Sequence, residues 1–328
     1  MNVFEYSIAG VFFDAGGMVY NVRHPSFGAD GGGEVDDTDA ILAALRAAPE
    51  GATVVVPHGR YRVSATVAVD RRIRLTGGGT LVAADGADLD QVLLVAADHA
   101  QVDNLRVDQR NVTGNAGRGE GVRVGGTSTR VQNVHVLGEG AAGGSLSNGF
   151  LVGGARNLLI GCTVENAGYA GFRNDGDFNR YYAVQARAVG RSDSVRGFIH
   201  NGDARLLVLD GAHFHTDSSH AASVGILIDA GAGRELSHLV LRGTYSGTTG
   251  EETLKLAGVA RADVSDSRFE GGPIQLAGGL GRVVLRDCVV DRGRVAFGAS
   301  VIGELVLERV DVSTAARYAL GDLVVSRL

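Results

Sequence analysis

The hexapeptide GFRNDG, Gly171–Gly176, returns as GFIHNG at Gly197–Gly202, 26 residues on by subtraction of the first positions. The same short strand comes round as GVRVGG from Gly121, GFLVGG from Gly149, GILIDAG from Gly225, TLKLAG from Thr253 and PIQLAGG from Pro273. A second series interleaves with it, closing at Val107, Val136, Val164, Val189, Phe214, Tyr245, Phe269, Val290 and Val312, with successive differences between 21 and 31. Each repeat holds at least two strands of four to six residues with glycine-rich corners, which leaves no room for a helix. Short strands at that period predict a parallel β-solenoid whose coils stack at about 4.8 Å. Neither the L-x-x-L-x-L pattern of a leucine-rich repeat nor the four-strand period of a propeller is visible.

Composition agrees with that architecture. Glycine makes up 50 of 328 residues, about 15% against roughly 7% in average usage. Only four prolines accompany it and 45% of the chain is hydrophobic, which excludes collagen and low-complexity disorder. A net charge of −6 with no Lys/Arg run argues against nucleic acid, and no stretch is long and apolar enough to span a membrane. The start, MNVFEYSIAGVFFDAGGMVY, lacks a basic segment and carries Glu5 and Asp14, so it reads as no signal peptide. That predicts a virion-associated or cytoplasmic protein. Cys162 and Cys288 stand at equivalent places five repeats apart. At about 4.8 Å per coil they are out of disulfide reach and read as free, buried thiols.

The segment HPSFGADGGGEVDDTDAILAALRAA, from His24, and GATVVVPHGRYRVSATVAV, from Gly51, resemble the entry module of the pectate-lyase-like superfamily. This superfamily includes rhamnogalacturonase- and epimerase-like proteins and phage tailspikes. The matching residues are Phe27-Gly28-Ala29, Asp36-Asp37-Thr38, and Val56-Pro57-x-Gly59-x-Tyr61. The resemblance implies an all-β, single-stranded right-handed parallel β-helix with a short capping α-helix. The domain reading is an extension over 1–23 and a β-helix over 24–328, with the cap at about 24–70 and the coils at about 71–328. Independently, Asp36 or Asp37 can cap a helix whose Ile41, Leu42 and Leu45 form one apolar stripe, covering the open end of the stack.

Function has to come from a site, since this fold hosts lyases, hydrolases, epimerases and non-catalytic adhesins. With Gly121, Gly149, Gly171, Gly197 and Gly225 as position zero, the residues one and three places on are the inward rows, polar only at Asn174 and His200. Polar and acidic residues converge on three coils: Arg173, Asp175 and Asp177, then Asn201 and Asp203, then Asp229. Tyr169, Phe178, Tyr181 and Tyr182 crowd beside them in a chain with no tryptophan. Carboxylates one coil apart, Asp177 and Asp203, are expected about 5 Å from each other, and Asp175 and Asp229 about 10 Å, which spans both glycosidase geometries. A lyase alternative has Arg173 neutralising a uronate while Lys255, His200 or a Tyr181 or Tyr182 phenolate takes the C5 proton. The catalytic candidates are therefore Asp175, Asp177, Asp203, Asp229 and His200, with Arg173, Asn201, Tyr181, Tyr182 and Lys255 binding substrate. The competing reading is plain corner chemistry, because Asp and Asn beside Gly are what turns require.

Asp175-x-Asp177-x-Asn179 opens like an EF-hand loop, but Arg180 stands where that loop needs Gly and Ala186 where it needs Glu. No cofactor is required by this pattern, although calcium held between coils is compatible with it. His213 and His215, with His220 nearby, are a weaker metal candidate. The expected partner is a polysaccharide, with no nucleic acid and no membrane; the tailspike resemblance implies a homotrimer. Three functions follow: a polysaccharide hydrolase or lyase, a glycan-binding virion or adhesin component that cuts nothing, and an intracellular isomerase or cyclase on a small substrate.

Overall fold

A computed structural model describes residues 11–14, 17–110, 119–138, 147–187, 195–216, 223–248, 252–291, 295–297 and 302–312. Each coil contributes three strands. One set, exemplified by Gln101–Asp103, forms sheet I; a second, exemplified by Arg106–Asp108, forms sheet II; a third, exemplified by Glu120–Val124, forms sheet III. Among the described residues these sheets have 13, 12 and 10 strands, and every pairing between coils is parallel. The exception lies at the N-terminus, where Val11–Asp14 pairs antiparallel with Gly17–Asn21, which in turn joins sheet I beside Thr53–Val55. Sheet I therefore begins ahead of residue 24.

Three strands per coil, where the repeats announce at least two, follow from a one-residue corner hidden within the second series. Asn104, Asn133, Gly161, Ala183, Gly211, Gly243, Asp266, Asp287 and Arg309 each take φ between 50° and 63° between a strand of sheet I and one of sheet II. Gly and Asn accept this left-handed conformation most readily, which is why the corner carries them so often. From Asn104 to Asp287, each of these corner N–H groups reaches a carbonyl of the next coil, as Asn104 to Gln132 at 3.1 Å and Asn133 to Ile160 at 2.9 Å. The bend therefore costs no backbone hydrogen bond.

The inward row of sheet III is in the register read from the repeats: Val122, Phe150, Phe172, Phe198, Ile226, Leu254 and Ile274 stand side by side on successive coils. Phe150 and Phe172 stack with centroids 5.0 Å apart, and Tyr181 meets Phe198 edge-on at 5.1 Å. The helix Thr38–Ala47 lays Ile41, Ala44 and Leu45 on the end of this core. Its N-cap residue, Asp37, does not cap it through its side chain. The Asp37 carboxylate instead accepts N–H groups of Asp30 and Gly31 at 2.6 and 3.0 Å, and Asp36 accepts the Thr38 N–H at 3.0 Å.

Candidate functional site

The glycine column that opens the sheet III strands fixes how this face is built. A Cβ on Gly197 would lie 2.6 Å from the Gly225 carbonyl and 2.7 Å from the Phe214 Cβ of sheet II. Gly121, Gly149, Gly171 and Gly225 are hemmed in the same way by Val136, Val164, Ala186 and Ser246. Alternating with the inward residues one and three places on, the residue two places on points outward: Arg123, Leu151, Arg173, Ile199, Leu227, Lys255 and Gln275. Arg123 and Arg173 are two coils apart, about 10 Å, while Lys255 lies three coils beyond Arg173, about 14 Å. Lys255 faces Glu252 at 3.9 Å and stands apart from the Arg173 group.

Arg173 is held by the residue two places on. Its Nε donates to Asp175 Oδ1 at 2.9 Å, and its Nη2 lies 2.9 Å from Oδ2. This paired geometry orients the guanidinium and leaves Nη1 for another anion. The residue before the glycine column supplies a group that the sequence reading missed. Glu120 is only 8% exposed, and burial pushes its carboxyl up to about 7. Arg123 and Arg173 pull against that rise, and Asp90 and Asp175 add to it, so all four charges reach it. No hydrogen bond to the Glu120 carboxyl is made by the described residues. Beside it in register on the next coil, Asn148 is 3% exposed and its Oδ1 has no hydrogen-bond partner among the described residues. Tyr169, half-buried, interacts electrostatically with Arg173.

The other predicted residues are placed differently. Asp177 accepts the Arg205 backbone N–H at 2.6 Å and its Nε at 2.7 Å; burial acts to raise its carboxyl, but these bonds hold it below the ordinary range. Asp203 accepts the Glu235 N–H at 2.8 Å, and Asp229 accepts the Gly231 N–H at 2.9 Å. These three carboxylates fasten corners. Asn201 is exposed at the same turn. Tyr181 and His200 are buried inside the coil and cannot meet a polymer on the outer face. His200 Nδ1 lies 2.8 Å from the Asn174 carbonyl, so it carries the proton, and Nε2 has no side-chain hydrogen-bond partner among the described residues. Asn174 Oδ1 accepts from Tyr181 Oη and Asn179 Nδ2, each at 2.8 Å, completing a buried network. Tyr182 is turned to the outer face of sheet I, aligned with Ile160 and Asp210.

His213 and His215 lie on the outer face of sheet II, where the His213 ring rests 4.4 Å from that of Tyr245; His220 is outside the described residues. Among the described residues no group of three or more His, Cys, Asp and Glu side chains is placed to hold a metal ion.

The chain is similar to known proteins in sequence and in fold. A 49-residue stretch, 14% of this chain and 6% of the other, is 57% identical to Alginate lyase 7 of Azotobacter vinelandii. The catalytic domain of a GH87 α-1,3-glucanase, solved with nigerose, superposes with a TM-score of 0.54 at 11% identity, covering 84% of this chain and 55% of that one. The A-module of a mannuronan C-5 epimerase from Azotobacter vinelandii gives 0.45 at 15% identity, covering 90% and 99%. Residues 19–195 match the rhamnogalacturonase A/epimerase, pectate lyase-like family, spanning more than half of the sequence. With its parallel coils, capping helix and strand register all in place, the chain belongs to that family.

Proposed function

We propose that the chain acts on an acidic polysaccharide at the outer face of sheet III, by removing a proton next to a uronate carboxylate. The observation that carries this reading is Glu120: a buried carboxyl poised near neutrality, without a hydrogen-bond partner among the described residues, and within the field of two guanidiniums. A group titrating near 7 gives up and takes a proton at little cost, as a general base requires. Arg123 and the free edge of Arg173 neutralise the substrate carboxylate, which makes the C5 proton acidic. In β-elimination the C5–H pair becomes the C4=C5 double bond, the C4–O bond breaks, and Tyr169 supplies the proton to the leaving oxygen. Hydrolysis would need a second available carboxylate, whereas Asp175 is committed to Arg173. The partial identity to an alginate lyase supports the same substrate class.

The test is incubation with uronate-containing and neutral polysaccharides, reading reducing ends together with the ultraviolet absorbance of unsaturated uronate. Both signals are expected from the uronate polymers, rising with pH through about 7 as Glu120 ionises, and both are lost in Glu120→Gln. Reducing ends alone would mean hydrolysis, and neither signal would mean a binding protein; either result ends the elimination reading.

A further inference from the structure

Around the corner from this face, sheet I carries a trough that the reaction does not use. A cavity of about 690 Å³ opens on its outer side near the N-terminal end and continues into another of about 300 Å³, with Arg74 and Gln101 lining both. These sizes fall within the range of about 300–1,000 Å³ typical of small-molecule sites. Two columns build the floor. Thr53, Arg74, Gln101 and Arg130 are aligned coil by coil, and beside them run Val55, Thr76, Asp103 and Gln132. On the next coil the columns turn apolar at Leu158 and Ile160, which ends the polar strip.

We propose that this trough is a second glycan-binding surface, separate from the sheet III site, taking a segment of acidic oligosaccharide that runs along the coil axis. Donors and acceptors repeat here at the coil spacing, so each sugar of an extended chain meets a fresh pair of polar groups. The carboxylate of Asp103 is occupied by Arg74 at 2.7 and 2.9 Å, by Thr76 at 2.7 Å and by Asn104 at 2.8 Å, so it presents no free charge to repel an anion. Arg72 is balanced by Glu50 at 3.4 Å. Arg130, which donates to Gln132 at 2.8 Å, has no carboxylate partner among the described residues and leaves the trough net positive. Gln101 is exposed on the floor and presents both a donor and an acceptor. The acidic class of ligand rests on the proton-abstraction reading above; the location of the surface does not.

The experiment uses the full chain carrying Glu120→Gln and Arg123→Ala, which blunts sheet III, in calorimetric titrations with alginate oligosaccharides, oligogalacturonate and nigerose. This variant is expected to retain binding of an acidic oligosaccharide. Adding Gln101→Trp, which fills the trough from an exposed position, is expected to weaken that binding on the order of tenfold, about 1.4 kcal/mol. Loss of all binding in the first variant, unchanged affinity after Gln101→Trp, or equal affinity for nigerose would each overturn the proposal. Failure of the catalytic reading is separable, because it shows as turnover surviving in the single variant Glu120→Gln.

Discussion

At Glu120 function and stability pull in opposite directions. Its folded carboxyl titrates near 7 against an ordinary 4.5, so between those values the folded chain binds more protons than the unfolded chain. Stability contributed by this group therefore falls as pH rises from about 4.5 to about 7, by up to about 3 kcal/mol. Glu120→Gln removes the penalty, and the variant is expected to be inactive but to melt higher than the parent at pH 8, with the two converging near pH 5. Thermal melts across that range check it, and a parallel pair of curves would show that Glu120 is not strained by its burial. The aspartates divide along the same logic. Asp203→Asn loses part of a corner tie and should cost about 1 kcal/mol of stability with catalysis per folded molecule intact. Asp175→Asn loosens Arg173 and should raise KM with little change in melting temperature. Kinetics and melts on the two variants distinguish them. The sequence shows all of these residues, but not their division of labour. A ruler that starts at Gly121 leaves out the residue just before it, and no local pattern says which aspartate finds a backbone N–H on a neighbouring coil.

At the scale of the strand and the corner, the inward and outward rows of sheet III were legible because side-chain alternation leaves a period of two within a longer repeat. The corner between sheets I and II was not, because a single Gly, Asn or Asp inside a run of about seven residues reads as one polar or small position of a continuous strand, and a turn is ordinarily marked by a longer cluster of such residues. Tyr181 and Tyr182 show the consequence, since the strand Asn179–Tyr182 belongs to sheet I and sends one ring into the core and the other around the corner. Glycine has two different meanings along sheet III. Gly197 sits where a side chain would strike the Gly225 carbonyl at 2.6 Å and Phe214 at 2.7 Å, whereas at Gly125 the nearest atom is 4.0 Å away. Replacing Gly by Ala in a compatible conformation is stabilising by about 0.4–1 kcal/mol, and overpacking a core costs about 1–3 kcal/mol. Gly125→Ala is therefore expected to hold or raise the denaturation midpoint, and Gly197→Ala to lower it. Urea titrations of both would contradict the stacking account if the two moved together.

A stack of coils is a nearly one-dimensional solid, in which each layer is held only by the layers on either side. Cys162 and Cys288 report on two depths of that stack, five coils apart, each just ahead of a sheet II strand and both without a disulfide. Burial pushes the Cys162 thiol up to about 12, and it raises that of Cys288 as well, so neither supplies thiolate in the folded chain at neutral pH. Their neighbourhoods differ. Cys162 lies between layers whose apolar residues, such as Val136 and Ala186, are fully buried, whereas the layer beyond Cys288 leaves Ile302, Leu305 and Val312 half-exposed. Local opening is cheapest where fewest apolar groups are covered. A thiol reagent at neutral pH should therefore label neither cysteine rapidly in the native chain, and in urea below the global midpoint it should reach Cys288 ahead of Cys162. Equal labelling rates at every urea concentration would mean that the coils open only all together, and would replace the layer-by-layer picture with a single cooperative unit.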